Sequence, residues 1–343
     1  MSMKNKLKIG AINWDAFVKD GAYFASYAMK SLANDKYSSR LPFYIKKKDG
    51  NYTVPERTLE EYEKELEYAI DSGLDFFAYC WYPDSFPEER SIWHDKECYT
   101  YLSEHYPELN YSRKLYQKSA LNKKIGMCAI LFCINAYAES DFEALFSAMK
   151  EDYYVKIDGK PLVIIFDSYD RNFIELVRER AKENGLDLFV AFSDSYAKTA
   201  GNDLSSADGI TAYACGGKAE SFDEFTATVN EYNKKRAKCG VSVIPLMSLG
   251  WNPSPRIDHP VPWCPYEKAV YAGKPNEAEI DRAFAELADF VNGCDKADTG
   301  CAIVFAWNEF EEGGYLCPTL KDDGSADNSM IKAFAKAKKK YTD

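Results

Sequence analysis

The sequence predicts one α/β domain over residues 1–343, a single (β/α)₈ or TIM barrel, and three features carry that prediction. Eight short β-type runs follow one another, segments of helical patterning separate most of them, and the longest connections fall after runs one, two and seven. Alternating strand and helix patterns signal parallel strands joined by crossover helices, and eight such units close a barrel.

The runs are rich in β-branched, aromatic and small apolar residues. They span Leu7 to Asp15, Leu74 to Tyr82, Lys124 to Phe132, Leu162 to Asp167, Leu186 to Ser193, Gly209 to Ala214, Val241 to Leu249 and Cys301 to Trp307. Between the first two, Thr58 to Ser72 places Leu59, Tyr62, Leu66, Ala69 and Ile70 on one helical face, and Gly73 stops the helix. Further helices are expected over Asp141 to Glu151, Asp170 to Asn184, Ser221 to Lys238, Glu277 to Asn292 and Asn328 to Tyr341. Patterning is weaker after runs two and five. The long connections, about Ala16 to Arg57, Pro83 to Asn110 and Gly250 to Asn276, are all strand-to-helix loops, the kind from which barrel enzymes build their sites. An open doubly wound sheet is the rival fold, but no glycine-rich dinucleotide fingerprint follows the first run.

Composition narrows the partners. A net charge of −11 argues against nucleic acid or an anionic membrane, both of which need a basic face. No window approaches the apolar length of a membrane span, and the first residues carry no apolar signal-peptide core. The ten cysteines are scattered, without paired zinc spacing, and several sit inside apolar runs. Free thiols in a reducing, cytoplasmic compartment are therefore expected.

The tryptophans fall at one end of the expected barrel. Trp14, Trp81 and Trp307 close strand-like runs, Trp251 lies just past one, and Trp93 and Trp263 occupy the loops after runs two and seven. Indole faces stack on sugar C–H faces while acids and amides take the hydroxyls, so a tryptophan-rich acidic mouth suits a glycan. Candidate companions are Asn13, Asp15, Tyr82, Asp84, Asp167, Ser193, Asp194, Tyr213, Asn252 and Arg256; Asp167 serves equally well as a helix N-cap. His94, His105 and His259 are not spaced as metal ligands, so neither a metal nor another cofactor is expected.

The chemistry concentrates after the last run, in Trp307-Asn308-Glu309-Phe310-Glu311-Glu312-Gly313. Glu309 and Glu312 can face one cleft if the backbone turns helically, while Glu311 is expected to point elsewhere. Two carboxylates in a dry aromatic site repel, which raises the pKa of one and keeps it protonated. Glycosidic cleavage needs that division: a proton for the leaving oxygen and a second carboxylate acting at the sugar.

This segment, continued by Gly314-Tyr315-Leu316, resembles the Trp-Asn-Glu-Trp-x-Glu-Gly segment of glycoside hydrolase family 99 and the related WbsX-like proteins of bacterial polysaccharide loci. Similar patches are Ile9-Gly10-Ala11, Phe76 to Tyr82, Lys156-Ile157-Asp158-Gly159-Lys160-Pro161 and Gly250 to Arg256. Phe310 stands where the family has Trp, and Ala11-Ile12-Asn13-Trp14 replaces a tyrosine-rich run. The resemblance implies a (β/α)₈ hydrolase of retaining, endo-α-mannosidase type acting on an oligosaccharide or polysaccharide. It further implies that Glu309 assists attack by the sugar's own 2-hydroxyl, giving a 1,2-anhydro sugar, and that Glu312 is the acid/base. Substrate contacts are expected from Trp14, Asp15, Trp81, Tyr82, Asp167, Tyr213, Trp251, Arg256, Trp307 and Asn308. Two other readings stay open: a glycosyltransferase of polysaccharide biosynthesis, though no Asp-x-Asp motif is present, and a non-catalytic carbohydrate-binding barrel.

Overall fold

The structure, a computed structural model, describes residues 7–84, 104–133, 137–166, 170–198, 204–215, 219, 221–264, 266–267 and 273–342. Trp93, His94 and Asp167 lie outside them. The main sheet is built from β1 (Lys8–Asn13), β2 (Phe76–Trp81), β3 (Gly126–Phe132), β4 (Lys160–Phe166), β5 (Phe189–Ser193), β6 (Gly209–Thr211), β7 (Ser242–Val243), β8 (Leu246–Ser248) and β9 (Cys301–Phe305). Its spatial order is β7-β6-β5-β4-β3-β2-β1-β9-β8, and every neighbouring pair is parallel. The sheet curls. Its two end strands, β7 and β8, are separated in the chain only by Ile244 and Pro245, so one expected strand pairs with β6 through its first half and with β9 through its second. Ile244 N–H still bonds Ile210 O, and Pro245, which lacks a donor, accepts from Ile303 N–H.

The helices are α1 (Tyr23–Leu32), α2 (Leu59–Asp71), α3 (Tyr111–Lys118), α4 (Glu139–Lys150), α5 (Arg171–Glu183), α6 (Phe222–Arg236), α7 (Ser254–Asp258), α8 (Glu277–Gly293) and α9 (Ser329–Thr342). Six of them match the helices expected from apolar periodicity to within about two residues. α1, α7 and the hairpin Lys46–Lys48/Asn51–Thr53 lie inside the long loops and had no clear pattern to announce them. α3 follows β2, where patterning was weak, and no helix joins β5 to β6 among the described residues. Among those residues, too, no helix is long and apolar enough to cross a membrane. The cysteines described are free thiols.

Residues alternate between the inside of the curled sheet and its helix-facing outside. On β2, Tyr79 bonds Tyr62 of α2 and packs on Tyr116 of α3, and Trp81 lies under the Arg113 guanidinium of α3, whereas Cys80 reaches Tyr213. This period of two decides which of the candidate residues can meet a substrate.

α2 begins with a reciprocal cap: Thr58 Oγ1 accepts from Glu61 N–H at 3.2 Å, and Glu61 Oε2 accepts from Thr58 N–H at 3.0 Å. Arg57 and Glu65 flank that turn. Thr58→Ala is expected to cost about 1 kcal/mol in urea unfolding, the usual worth of such a cap; an unchanged midpoint would show that packing alone holds the start of α2.

Candidate active site

Past β9 the chain forms a tight hairpin in which Asn308–Glu309 pairs antiparallel with Gly314–Tyr315. A turn with Glu312 N–H on Glu309 O at 3.2 Å closes the tip. The segment is thus a hairpin tip, not the helical turn expected, yet it brings the glutamates together. Phe310 is buried against Phe17 and Tyr315 and anchors the hairpin from the other side. The loop after β8 lies directly on this tip, with Asn252 N–H bonding Glu312 O at 2.5 Å. Gly250 and Gly313 make that approach possible. Both have positive φ, and a Cβ on either would stand 2.6 Å from Gly313 O or 2.8 Å from Asn252 N respectively.

The contact delivers α7 and its Arg256 over the carboxylates. Arg256 Nη1 pairs with Glu312, while Nη2 stands 3.4 Å from Glu311 and 3.7 Å from Glu309. Glu309, Glu311, Glu312 and Arg256 are only 3%, 2%, 5% and 3% exposed. Contrary to expectation, Glu311 joins the cluster: it reaches Arg256 and accepts from Ser31 Oγ of α1 at 2.7 Å. Glu312 also accepts from Tyr266 Oη at 2.8 Å, and Glu309 Oε1 from Tyr213 Oη at 2.5 Å. Ser31 and Tyr266 were missed because each lies in a long loop without periodic pattern. α7 is itself held from below, where Asp258 accepts from Lys36 Nζ at 2.5 Å and Tyr37 Oη at 2.7 Å.

Three acids thus face one guanidinium in a dry space. Burial and the charge of Glu312 push the Glu309 carboxyl up to about 8, against the lowering pull of Arg256 and the Tyr213 hydroxyl. Burial alone would lower Arg256, but the facing Glu312, Glu311 and Glu309 more than offset it and hold the guanidinium well above its ordinary value. Burial likewise raises the Tyr213 hydroxyl, so it stays a donor. Glu309 Oε2, Arg256 Nε, Asn13 Nδ2 and Trp263 Nε1 are buried with no hydrogen-bond partner among the described residues.

Aromatic rings wall this space. Trp14 and Trp263 meet at 5.8 Å, with the Arg256 guanidinium 5.6 Å and 6.0 Å from their centroids. Trp251 packs edge-on to Tyr266, and the Trp14 indole N–H bonds Tyr82 Oη at 2.9 Å. Tyr82, Tyr213, Trp251, Trp14 and Arg256 are therefore gathered with the glutamates as expected from their strand-end positions.

Three expected contacts are turned the other way; alternation along β2 accounts for Trp81, whereas Trp307 faces outward although Phe305, two residues before it, faces Tyr213 and Trp251. Trp81 lies on the helix side beneath Arg113 at 3.6 Å. Asp15 pairs with Arg57 at 3.1 Å and accepts from Phe17 N–H, and Trp307, fully buried, gives its indole N–H to Glu65 of α2 at 2.6 Å. Asn308 is engaged at both ends: Oδ1 accepts from Trp14 N–H at 2.9 Å and Nδ2 donates to Asn13 Oδ1 at 3.1 Å. It fixes the site instead of lining it.

The sequence matches no family model and no curated protein. Among solved structures, the chain is similar to the GH99 endo-alpha-mannosidase from Bacteroides thetaiotaomicron. One structure, in complex with BIS-TRIS-propane, aligns with TM-score 0.59 and 13% identity over 97% of this chain and 96% of that one. A second gives TM-score 0.57 and 12% identity over 97% and 96%. What is shared is the fold. At that identity the side chains speak for themselves, and it is the buried acid cluster at the ends of the parallel strands that bears on chemistry.

Proposed function

We propose that this chain is one (β/α)₈ barrel acting as a glycoside hydrolase, with Glu309 and Glu312 as its catalytic pair. The observation that carries the reading is the placement of these two carboxylates, both beside Arg256, inside a wall of Trp14, Trp251, Trp263 and Tyr266. A dry, paired-acid site of this kind supplies a proton and a nucleophilic push side by side. The family likeness of the segment and the shared fold favour a retaining, endo-α-mannosidase-like reaction on an oligosaccharide or polysaccharide.

In that reaction Glu312 protonates the leaving oxygen while Glu309 draws the proton from the sugar's 2-hydroxyl as that oxygen closes on the anomeric carbon. Water then opens the anhydro sugar with the roles reversed. Burial and the charge of Glu312 favour the protonated form of Glu309. A sugar hydroxyl donating to Glu309 favours its charged form, the form that can take the 2-hydroxyl proton. Tyr213 keeps Glu309 oriented throughout.

The reading is tested by incubating the protein with α-mannan and a panel of other glycans, with Glu312→Gln as the control. Reducing ends released by the parent and not by the variant support it. Release by neither, across α-mannosidic and other linkages, would leave a binding protein and overturn the hydrolase.

A further inference from the structure

We propose that Arg57 and Glu65 are positioning residues: the buried ion cluster they form on the helix side of the sheet holds, through the Trp307 indole, the backbone that carries Glu309. The catalytic half of this inference rests on the hydrolase reading above.

The cluster is expensive. Arg57 pairs with Glu65 and, at 3.1 Å, with Asp15, and all three side chains are 1–2% exposed. Its guanidinium lies 4.1 Å from the Tyr44 ring centroid and 4.8 Å from that of Tyr62, so aromatic faces and not water surround it. Burial raises the pKa of both Asp15 and Glu65 against the pull of Arg57. Buried ion pairs of this kind seldom stabilise a fold better than well-packed apolar residues, so their use lies in fixing geometry.

The geometry fixed here is that of the catalytic hairpin. Glu65 spends one oxygen on Arg57 and the other on Trp307 Nε1 at 2.6 Å. Trp307 is two residues from Glu309, and its own N–H bonds Ile12 O at 2.7 Å. On the other arm Asp15, held by Arg57 and Ser112, continues the segment Asn13-Trp14 that clamps Asn308. Both ends of the ion cluster therefore attach to the same short stretch, Trp307 to Glu309, one through an indole and one through the end of β1.

The test compares Glu65→Gln, Glu65→Leu and Trp307→Phe with the parent by hydrogen–deuterium exchange and kinetics. Trp307→Phe removes the indole N–H together with part of the ring but leaves Arg57 both of its carboxylates, so it guards against loss of fold from an unpaired buried cation in the others. Exchange at residues 307–312 should quicken by about tenfold or more while β2 and β4 keep their protection. On a cleaved glycan, kcat should fall by about 10–100-fold with KM little changed. Glu65→Gln, which keeps an acceptor for the indole, should lose least. Unchanged exchange at 307–312, or loss of protection throughout the barrel in all three variants, would overturn the positioning role. Local loosening in a protein that cleaves no glycan would uphold the linkage and sink the hydrolase reading alone.

Discussion

Glu312→Gln is expected to lose about 10²–10⁴-fold in kcat on an unactivated glycan, and little on an aryl glycoside whose leaving group departs without a proton. On the proposed roles, Glu309→Gln is expected to lose activity on both, because bond-breaking at the anomeric centre would still need its push. The wall of Trp14, Trp251 and Trp263 is untouched in either variant, so glycan binding should persist and the loss should sit in kcat. The comparison requires thermal unfolding to show both variants folded. A reversed pattern would give the acid role to Glu309, the residue whose protonated form burial favours. Equal and small losses from both would remove the reaction from this hairpin altogether.

The second large effect is on stability. Glu309 holds its proton up to about 8 in the folded protein, against 4.5 as the ordinary value, because burial and Glu312 disfavour its charge. Between those values the folded state binds a proton that the unfolded chain has released, so this group lowers stability as pH rises through that window. Below the window both states are protonated and nothing is lost. Above it the full penalty applies, at most about 5 kcal/mol. Glu309→Gln keeps the shape and cannot ionise, so the variant should match the parent near pH 4 and exceed it increasingly toward pH 8.5, in urea unfolding at a series of pH values. A difference between the two that is flat with pH would show that Glu309 is not strained by its charge. A variant both more stable and inactive is the usual signature of a site that trades stability for chemistry.

The order of strands and helices was legible in the sequence because each element buries a continuous apolar face, and burial imposes its period on the residues. Thr58 to Ser72 repeats near 3.6 and Cys301 to Trp307 is an unbroken apolar run, so both announce themselves without any partner. That Glu309 and Glu312 come together was legible for a related reason: both follow a buried apolar run, where the chain opens into its loop. α1 and α7 were not legible, because they are short, lie in long loops and are held by partners far away in the chain, such as Tyr37 for Asp258.

Side-chain direction at the strand ends belonged to the tertiary structure alone. Trp14 faces the glutamates and Trp81 and Trp307 do not, although all three end apolar runs, since facing depends on register and on what waits outside: Arg113 for one, Glu65 for the other. The same holds for charge. Nothing local tells Glu311 to meet Ser31 and Arg256, or Asp15 to meet Arg57, across separations of up to 280 residues. A buried carboxylate takes whatever partner the fold brings within hydrogen-bond reach, and its pKa follows from that partner and from the water excluded, neither of which is written in the neighbouring residues.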